Sequence, residues 1–304
     1  MRLLTSFSIL LAWSLAAQQP VETNVVFGSH SGLALLMDVY RPPSSNGYGI
    51  VVIPGSGWHT ELGYSARLLK ESKEFLTHIQ KLNAAGYSTF VVTHRAAPRF
   101  KFPAAVEDVQ RAVRYVRQHA ARYGINKDRI GALGGSSGGH LVSMLGTLDG
   151  KGNPDDPDGV EQQSSKVQCV VALYPATDMA KVDTPFGSVT VTAFLGMRAP
   201  RNNAALTQLD AKLYWDASPV NHVTADDPPF LLIHGDGDKI VPYNQSELME
   251  AALKKAGVAV KLVRVPGGGH GSSFPGATET MDWAGQAVQW FDAHLRRKSD
   301  ATNE

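Results

Sequence analysis

The sequence predicts an α/β fold, with a mostly parallel central sheet and helices on both faces. Three observations point there. Short apolar runs at 50–53, 167–173 and 230–234 carry little or no polar interruption, the pattern of strands buried on both sides. Amphipathic stretches lie between such runs, so strands and helices alternate along most of the chain. The 304 residues are 43% hydrophobic and 19% charged, enough for one large domain with a sizeable core.

The chain opens on a targeting pattern. Met1-Arg2 is positive, 3–17 is apolar apart from Thr5, Ser6, Ser8 and Ser14, and Gln18-Gln19-Pro20 turns polar. This predicts a cleaved signal peptide over 1–17, a mature α/β domain over 18–300, and a secreted or periplasmic protein. An uncleaved anchor or a buried first helix is the alternative. The apolar run is short for a membrane span. Cys169 is the single cysteine, so no internal disulfide is possible and a buried thiol is expected.

Strands are expected at 21–27 and 33–40, the second with Leu33, Leu35, Met37 and Val39 on one face. A turn cluster at 41–47 precedes the strand 50–53. A helix over 65–85 stops at Gly86, and 87–93 is a strand. Pro103 opens the next helix, whose Val106, Val109, Val113 and Val116 form one stripe before Gly124. The strand 130–133 leads to a helix at 138–145. Later come strands 167–173, 230–234 and 259–265 and helices 247–256 and 278–295. Residues 178–217 break the rhythm, with Pro185, Pro200, Phe186, Phe194, Met197 and Trp215; they form either a small cap or a surface excursion. Right-handed crossovers place the loops after the strands along one edge of the sheet.

Leu133-Gly134-Gly135-Ser136-Ser137-Gly138-Gly139-His140 places a serine where a strand meets a helix. A tight corner exposes the hydroxyl beside the helix N-terminal N–H groups, and small neighbours let strand and helix approach. This is the G-x-S-x-G nucleophile elbow. Two registers fit; Ser136 lies closer to the strand end and is preferred, leaving Ser137 to begin the helix. A phosphate loop would want a following Lys-Ser or Lys-Thr, which is missing.

A nucleophilic serine needs a base, and the base an orienting carboxylate. Asp236 and Asp238 follow the strand at 230–234; His270 lies in the glycine-rich loop after 259–265. Either aspartate could serve, and one is a turn former. His234 reads as structural and His140 as a buttress of the elbow; His59 and His94 lie in loops near the expected mouth, His59 with possible substrate contact. For the oxyanion, the Ser137 N–H is one expected donor, and Ser56 and Gly57 in the loop after 50–53 are candidates for the other. Trp58 either lines the substrate pocket or simply packs.

A net charge of +1, from 29 basic and 28 acidic residues, favours neither nucleic acid nor an anionic membrane. No cofactor or metal is expected. The acidic group Asp149, Asp155, Asp156 and Asp158 reads as a solvated loop. Oligomeric state is left open.

Several segments together resemble bacterial α/β-hydrolase esterases, the group holding hormone-sensitive-lipase-like and carbohydrate-esterase-like members. Residues 134–140 look like G-x-S-A-G-G-H with Ser137 replacing alanine. Thr93-His94-Arg95-Ala96-Ala97-Pro98 with Phe102-Pro103-Ala104-Ala105 through Asp108 is similar to Y-R-L-A-P…F-P-A-A-x-x-D, and Ser218-Pro219 to the S-P before the penultimate strand. Pro228-Pro229 through Gly235, Asp238 and Val241-Pro242 look like P-P-x-L-x-x-H-G-x-x-D-x-x-V-P, and Gly269-His270-Gly271 like the loop of the base. The resemblance covers about 50–295. It implies an α/β-hydrolase fold and a serine carboxylic-ester hydrolase using Ser136, His270 and Asp238, with a small-molecule or polysaccharide-linked ester as the expected partner, and it favours Asp238 over Asp236. The oxyanion loop departs from the group's H-G-G pattern, with Pro54 for the histidine and Ser56 for the middle glycine. The same scaffold also serves amidases, peptidases and non-catalytic binding proteins.

Overall fold

The computed structural model describes residues 21–197 and 208–296. The expected signal peptide at 1–17 lies outside them, as do the ends of the expected 18–300 domain. Among the described residues no helix is long and apolar enough to cross a membrane.

Two strands, β1 (Glu22–His30) and β2 (Leu33–Tyr40), form an antiparallel hairpin at one edge. Next come β3 (Gly49–Ile53), α1 (Lys73–Ala84), β4 (Ser88–Val92), α2 (Ala104–Gln118) and the short α3 (Ala120–Tyr123). Then follow β5 (Ile130–Gly135), α4 (Ser137–Thr147), β6 (Cys169–Leu173), α5 (Pro185–Leu195) and α6 (Gln208–Asp216). The chain continues through β7 (Phe230–Gly235), α7 (Asn244–Ala256), β8 (Val260–Val265) and α8 (Trp283–Leu295). The eight strands lie in the order β1-β2-β4-β3-β5-β6-β7-β8. β2 meets β4 antiparallel; from β4 to β8 every pairing is parallel.

Strand side chains alternate between two faces, so the central strands feed two cores. Val51, Ile53, Ala132 and Leu232 enter one, closed by α2, α4 and α7. Ile50, Val52, Leu133 and Ile233 enter the other, closed by α1 and α8. Burial on both sides explains why these strands read as continuous apolar runs. Cys169 is buried in the second core as a free thiol, and burial pushes its ionisation well up.

Two expectations change. The helix expected over 65–85 begins only at Lys73, after a loop with one 3-10 turn at Leu69–Glu71. Lys70 turns inward there to the buried Asp38 at 2.9 Å, an anchor that hydrophobic periodicity does not signal. The described residues of the 178–217 segment include two α-helices, α5 and α6, where periodicity was weak. Thr184 caps α5 through its hydroxyl, which accepts the Gly187 N–H, and Gly196 ends it in the left-handed region.

Candidate active site

Parallel strands all end on one edge, and the site is assembled from the loops there. The loop after β3 carries Ser56 and Gly57, the corner after β5 carries Ser136, Tyr174 follows β6, Asp238 follows β7, and His270 follows β8.

Ser136 sits at φ 56° and ψ −124°, a conformation that L side chains rarely adopt. Its flanking glycines are sterically required. A Cβ on Gly134 would stand 2.4 Å from the Gly138 carbonyl oxygen, and one on Gly138 would stand 2.0 Å from that of Ile53. Ser136 N–H donates to the Leu173 carbonyl at 2.9 Å, holding the corner against β6.

His270 bridges the two remaining groups. Its Nδ1 lies 2.6 Å from Asp238 Oδ2 and its Nε2 2.9 Å from Ser136 Oγ. A carboxylate only accepts, so the proton sits on Nδ1 and Nε2 is left to accept from the serine hydroxyl. Asp238 is buried, which by itself would push its carboxyl up. Hydrogen bonds from His234 and His270, the charge of His270 and the Ile240 N–H outweigh burial and hold it well below the usual carboxylate range. Its Oδ1 also accepts Ile240 N–H at 2.8 Å and Val241 N–H at 3.0 Å.

Asp236 is spent elsewhere. It accepts Arg264 Nε at 2.6 Å and Gly267 N–H at 2.6 Å, pinning the turn to the neighbouring loop. His234 is buried between Ser246 Oγ at 2.8 Å and the Val241 carbonyl at 3.0 Å. His140 lies one turn after Ser136; it accepts from Trp58 Nε1 at 3.0 Å and donates to the Ala217 carbonyl at 2.8 Å. Burial lowers its pKa to about 4, so it is a neutral buttress at neutral pH.

Three expectations are corrected. Trp58 does not line the cleft: it is 3% exposed, bonded to His140 and stacked on Phe194 with ring centroids 4.7 Å apart. Its indole N–H needs a partner in the interior, and His140 supplies one. His94 is likewise buried, with Nδ1 2.9 Å from the Arg95 carbonyl, and does not reach the mouth. Ser56 has its N–H committed, because it donates to Ser137 Oγ at 2.8 Å. Ser137 begins α4, where the first N–H groups have no acceptor within the helix. Gly57, in the left-handed region at φ 61°, lines the cleft beside Ser56.

The cleft over Ser136 encloses about 330 Å³. Three wall residues escaped sequence reasoning: Glu74 from α1, Tyr174 and Ile240; the fourth, Phe186 from α5, belongs to the segment read as either a cap or a surface excursion. Tyr174 could have been found from its place directly after a buried strand; nothing local marks Glu74. At Gly55 the cleft adjoins a second, polar groove of about 590 Å³, lined by His59, Arg67 and Lys73 among others. His59 Nδ1 lies 3.0 Å from the Gly57 carbonyl. The acidic loop is tied down by protein groups; Asp158, for one, accepts Arg111 Nη2 at 2.7 Å.

The chain is similar in sequence and in fold to known proteins. The chain is 30% identical over 232 residues to a probable carboxylic ester hydrolase, LipM, of Mycobacterium tuberculosis, covering 74% of this chain and 50% of that one. It spans about half the length of the curated relatives it matches. Among solved structures it is similar to a truncated carbohydrate esterase from gut microbiota (TM-score 0.74, 28% identity, covering 92% of this chain and 98% of that one). It is also similar to an acetyl ester-xyloside bifunctional hydrolase from Caldicellulosiruptor lactoaceticus (TM-score 0.75, 28% identity, 91% and 98%). The architecture is the α/β-hydrolase fold of such esterases. Residues 37–253 match the family described as BD-FAE, a span that takes in Ser136 and Asp238, and the chain belongs to that family.

Proposed function

We propose that the protein is an exported serine hydrolase that cleaves short-acyl or carbohydrate-linked carboxylic esters. The observation that carries this reading is the continuous hydrogen-bonded path from Ser136 Oγ through His270 to Asp238 at the open edge of the sheet. Ser136 Oγ attacks the ester carbonyl as His270 Nε2 takes its proton. Asp238 holds the imidazole tautomer and offsets the charge that forms. His270 passes the proton to the leaving alcohol oxygen as the C–O bond breaks. A water, deprotonated by His270, then attacks the acyl-enzyme and releases the acid with Ser136 restored. The Gly57 and Ser137 N–H groups are the oxyanion donors, since that of Ser56 is engaged.

The carbohydrate part of the reading rests on the polar groove beside the cleft and on the names of similar proteins, a carbohydrate esterase and an acetyl ester-xyloside hydrolase. The apolar wall at Phe186 and Ile240 suits a small acyl group. Ser136→Ala should lower turnover of an aryl acetate by at least about 10³-fold and abolish acetate release from acetylated xylan. Near-native turnover in that variant would refute the mechanism; aryl acetate cleavage without acetate release from xylan would refute only the substrate.

A further inference from the structure

Glu74 has no place in the proton path, yet it stands on the wall of the cleft with Ser136 and His270. It lies in the first turn of α1, where the helix N-terminus favours an anion. Its Oε1 accepts twice: from the Tyr174 hydroxyl at 2.9 Å and from the Ser272 N–H at 2.8 Å. Both contacts lead back to His270. The Tyr174 ring meets the imidazole edge-on at 4.8 Å between centroids, and Ser272 lies two residues further along the same loop. The carboxylate is therefore held in one place. Its Oε2 accepts no hydrogen bond among the described residues.

The charge of Glu74 is not cancelled locally. Among the described residues, Glu74 and His270 are the only ionisable side chains other than the buried Tyr174 lining the cleft. The adjoining groove contributes Arg67 and Lys73 against Glu61 and Glu71, two charges of each sign. Asp238 is buried behind the imidazole and paired with it. Phe186 and Ile240 make part of the wall apolar and suited to the acyl group, while Glu74 is the chain neighbour of Lys73 in the adjoining polar groove, which suits the alcohol part of an ester.

We propose that Glu74 is a specificity-determining residue, whose fixed negative charge makes the site select esters of neutral alcohols over esters whose alcohol part bears a carboxylate. The inference rests on the esterase reading above and narrows it to neutral alcohol moieties, such as unsubstituted glycosyl units rather than uronic acids. Like charges a few ångströms apart in a half-wet cleft repel enough to change a specificity constant about tenfold.

The test compares two acetates of nearly equal shape, 4-acetoxybenzamide and 4-acetoxybenzoate, by acetate release. Glu74→Gln keeps a carbonyl oxygen for Tyr174 and Ser272 while removing the charge. Any misplacement of His270 lowers both rates and cancels from their ratio. The ratio of kcat/KM, amide over carboxylate, should fall at least about fivefold in the variant. In the native protein it should also shrink in 0.5 M sodium chloride, a measurement that needs no variant. A ratio indifferent to both the substitution and the salt would overturn the proposal and leave Glu74 a purely positioning residue. Hydrolysis of neither ester by the native protein would instead strike the esterase reading itself, and the inference with it.

Discussion

Ser137 Oγ accepts the Ser56 N–H at 2.8 Å, and so ties the loop after β3 to the first residue of α4. Two departures from the pattern of similar esterases, serine for glycine at 56 and serine for alanine at 137, thus meet in one hydrogen bond. The bond engages a backbone donor that the sequence marked for the oxyanion, and it holds the neighbouring Gly57 in place.

Ser137→Ala should loosen that loop. We expect kcat on an aryl acetate to fall about three- to tenfold with KM little changed, from lost preorganisation of the donors. Stability should fall by about 1 kcal/mol in urea unfolding. The same variant separates the two elbow registers, because complete loss of activity would make Ser137 the nucleophile.

The two aspartates after β7 should separate cleanly. Asp238→Asn keeps the shape but disturbs the tautomer of His270, and kcat should drop by about 10³- to 10⁴-fold. Asp236→Asn weakens the contacts to Arg264 and Gly267 and should change kcat less than about threefold. Steady-state kinetics on one aryl ester checks both, and equal losses would contradict the assignment.

Trp58→Phe removes the donor to His140 Nδ1 without touching the cleft wall. The buried imidazole nitrogen loses its partner, at a cost of about 1–3 kcal/mol in unfolding free energy. KM should be unchanged; a KM raised tenfold at native stability would return Trp58 to the substrate pocket.

Acid should weaken the fold through its histidines before it weakens it through Asp238. Burial lowers His140 to about 4 and His78 to about 4, and lowers His94 as well. Below about pH 6.5 the unfolded chain binds protons that the native state refuses, so stability falls as pH drops from there toward 4. His140 alone should contribute about 2 kcal/mol of loss between pH 7 and pH 5. Asp238 acts lower: its depressed native value stabilises the fold above the unfolded pKa, about 3.9, and that share is lost only as pH falls through the native value. Urea midpoints that rise between pH 7 and pH 5 would contradict this.

Much of this protein is legible in its order of residues. The strands β3, β5, β6 and β7 announce themselves because both of their faces are buried, and burial on both sides leaves an unbroken apolar run. The Ser136 corner is legible because only glycine tolerates approaches as close as 2.0 Å and 2.4 Å. His270 follows from its place after a late strand, since parallel strands end on one edge; place alone left Asp236 and Asp238 equal, and only the resemblance to the esterase group favoured Asp238. Tertiary structure alone decided what depends on partners distant in sequence. Glu74 reaches Ser272 across 198 positions, Lys70 reaches Asp38 across 32, and Trp58 turns from the cleft to His140 across 82. Periodicity reports which face of an element is apolar; it does not report which remote donor an oxygen or an indole N–H will meet once the elements pack.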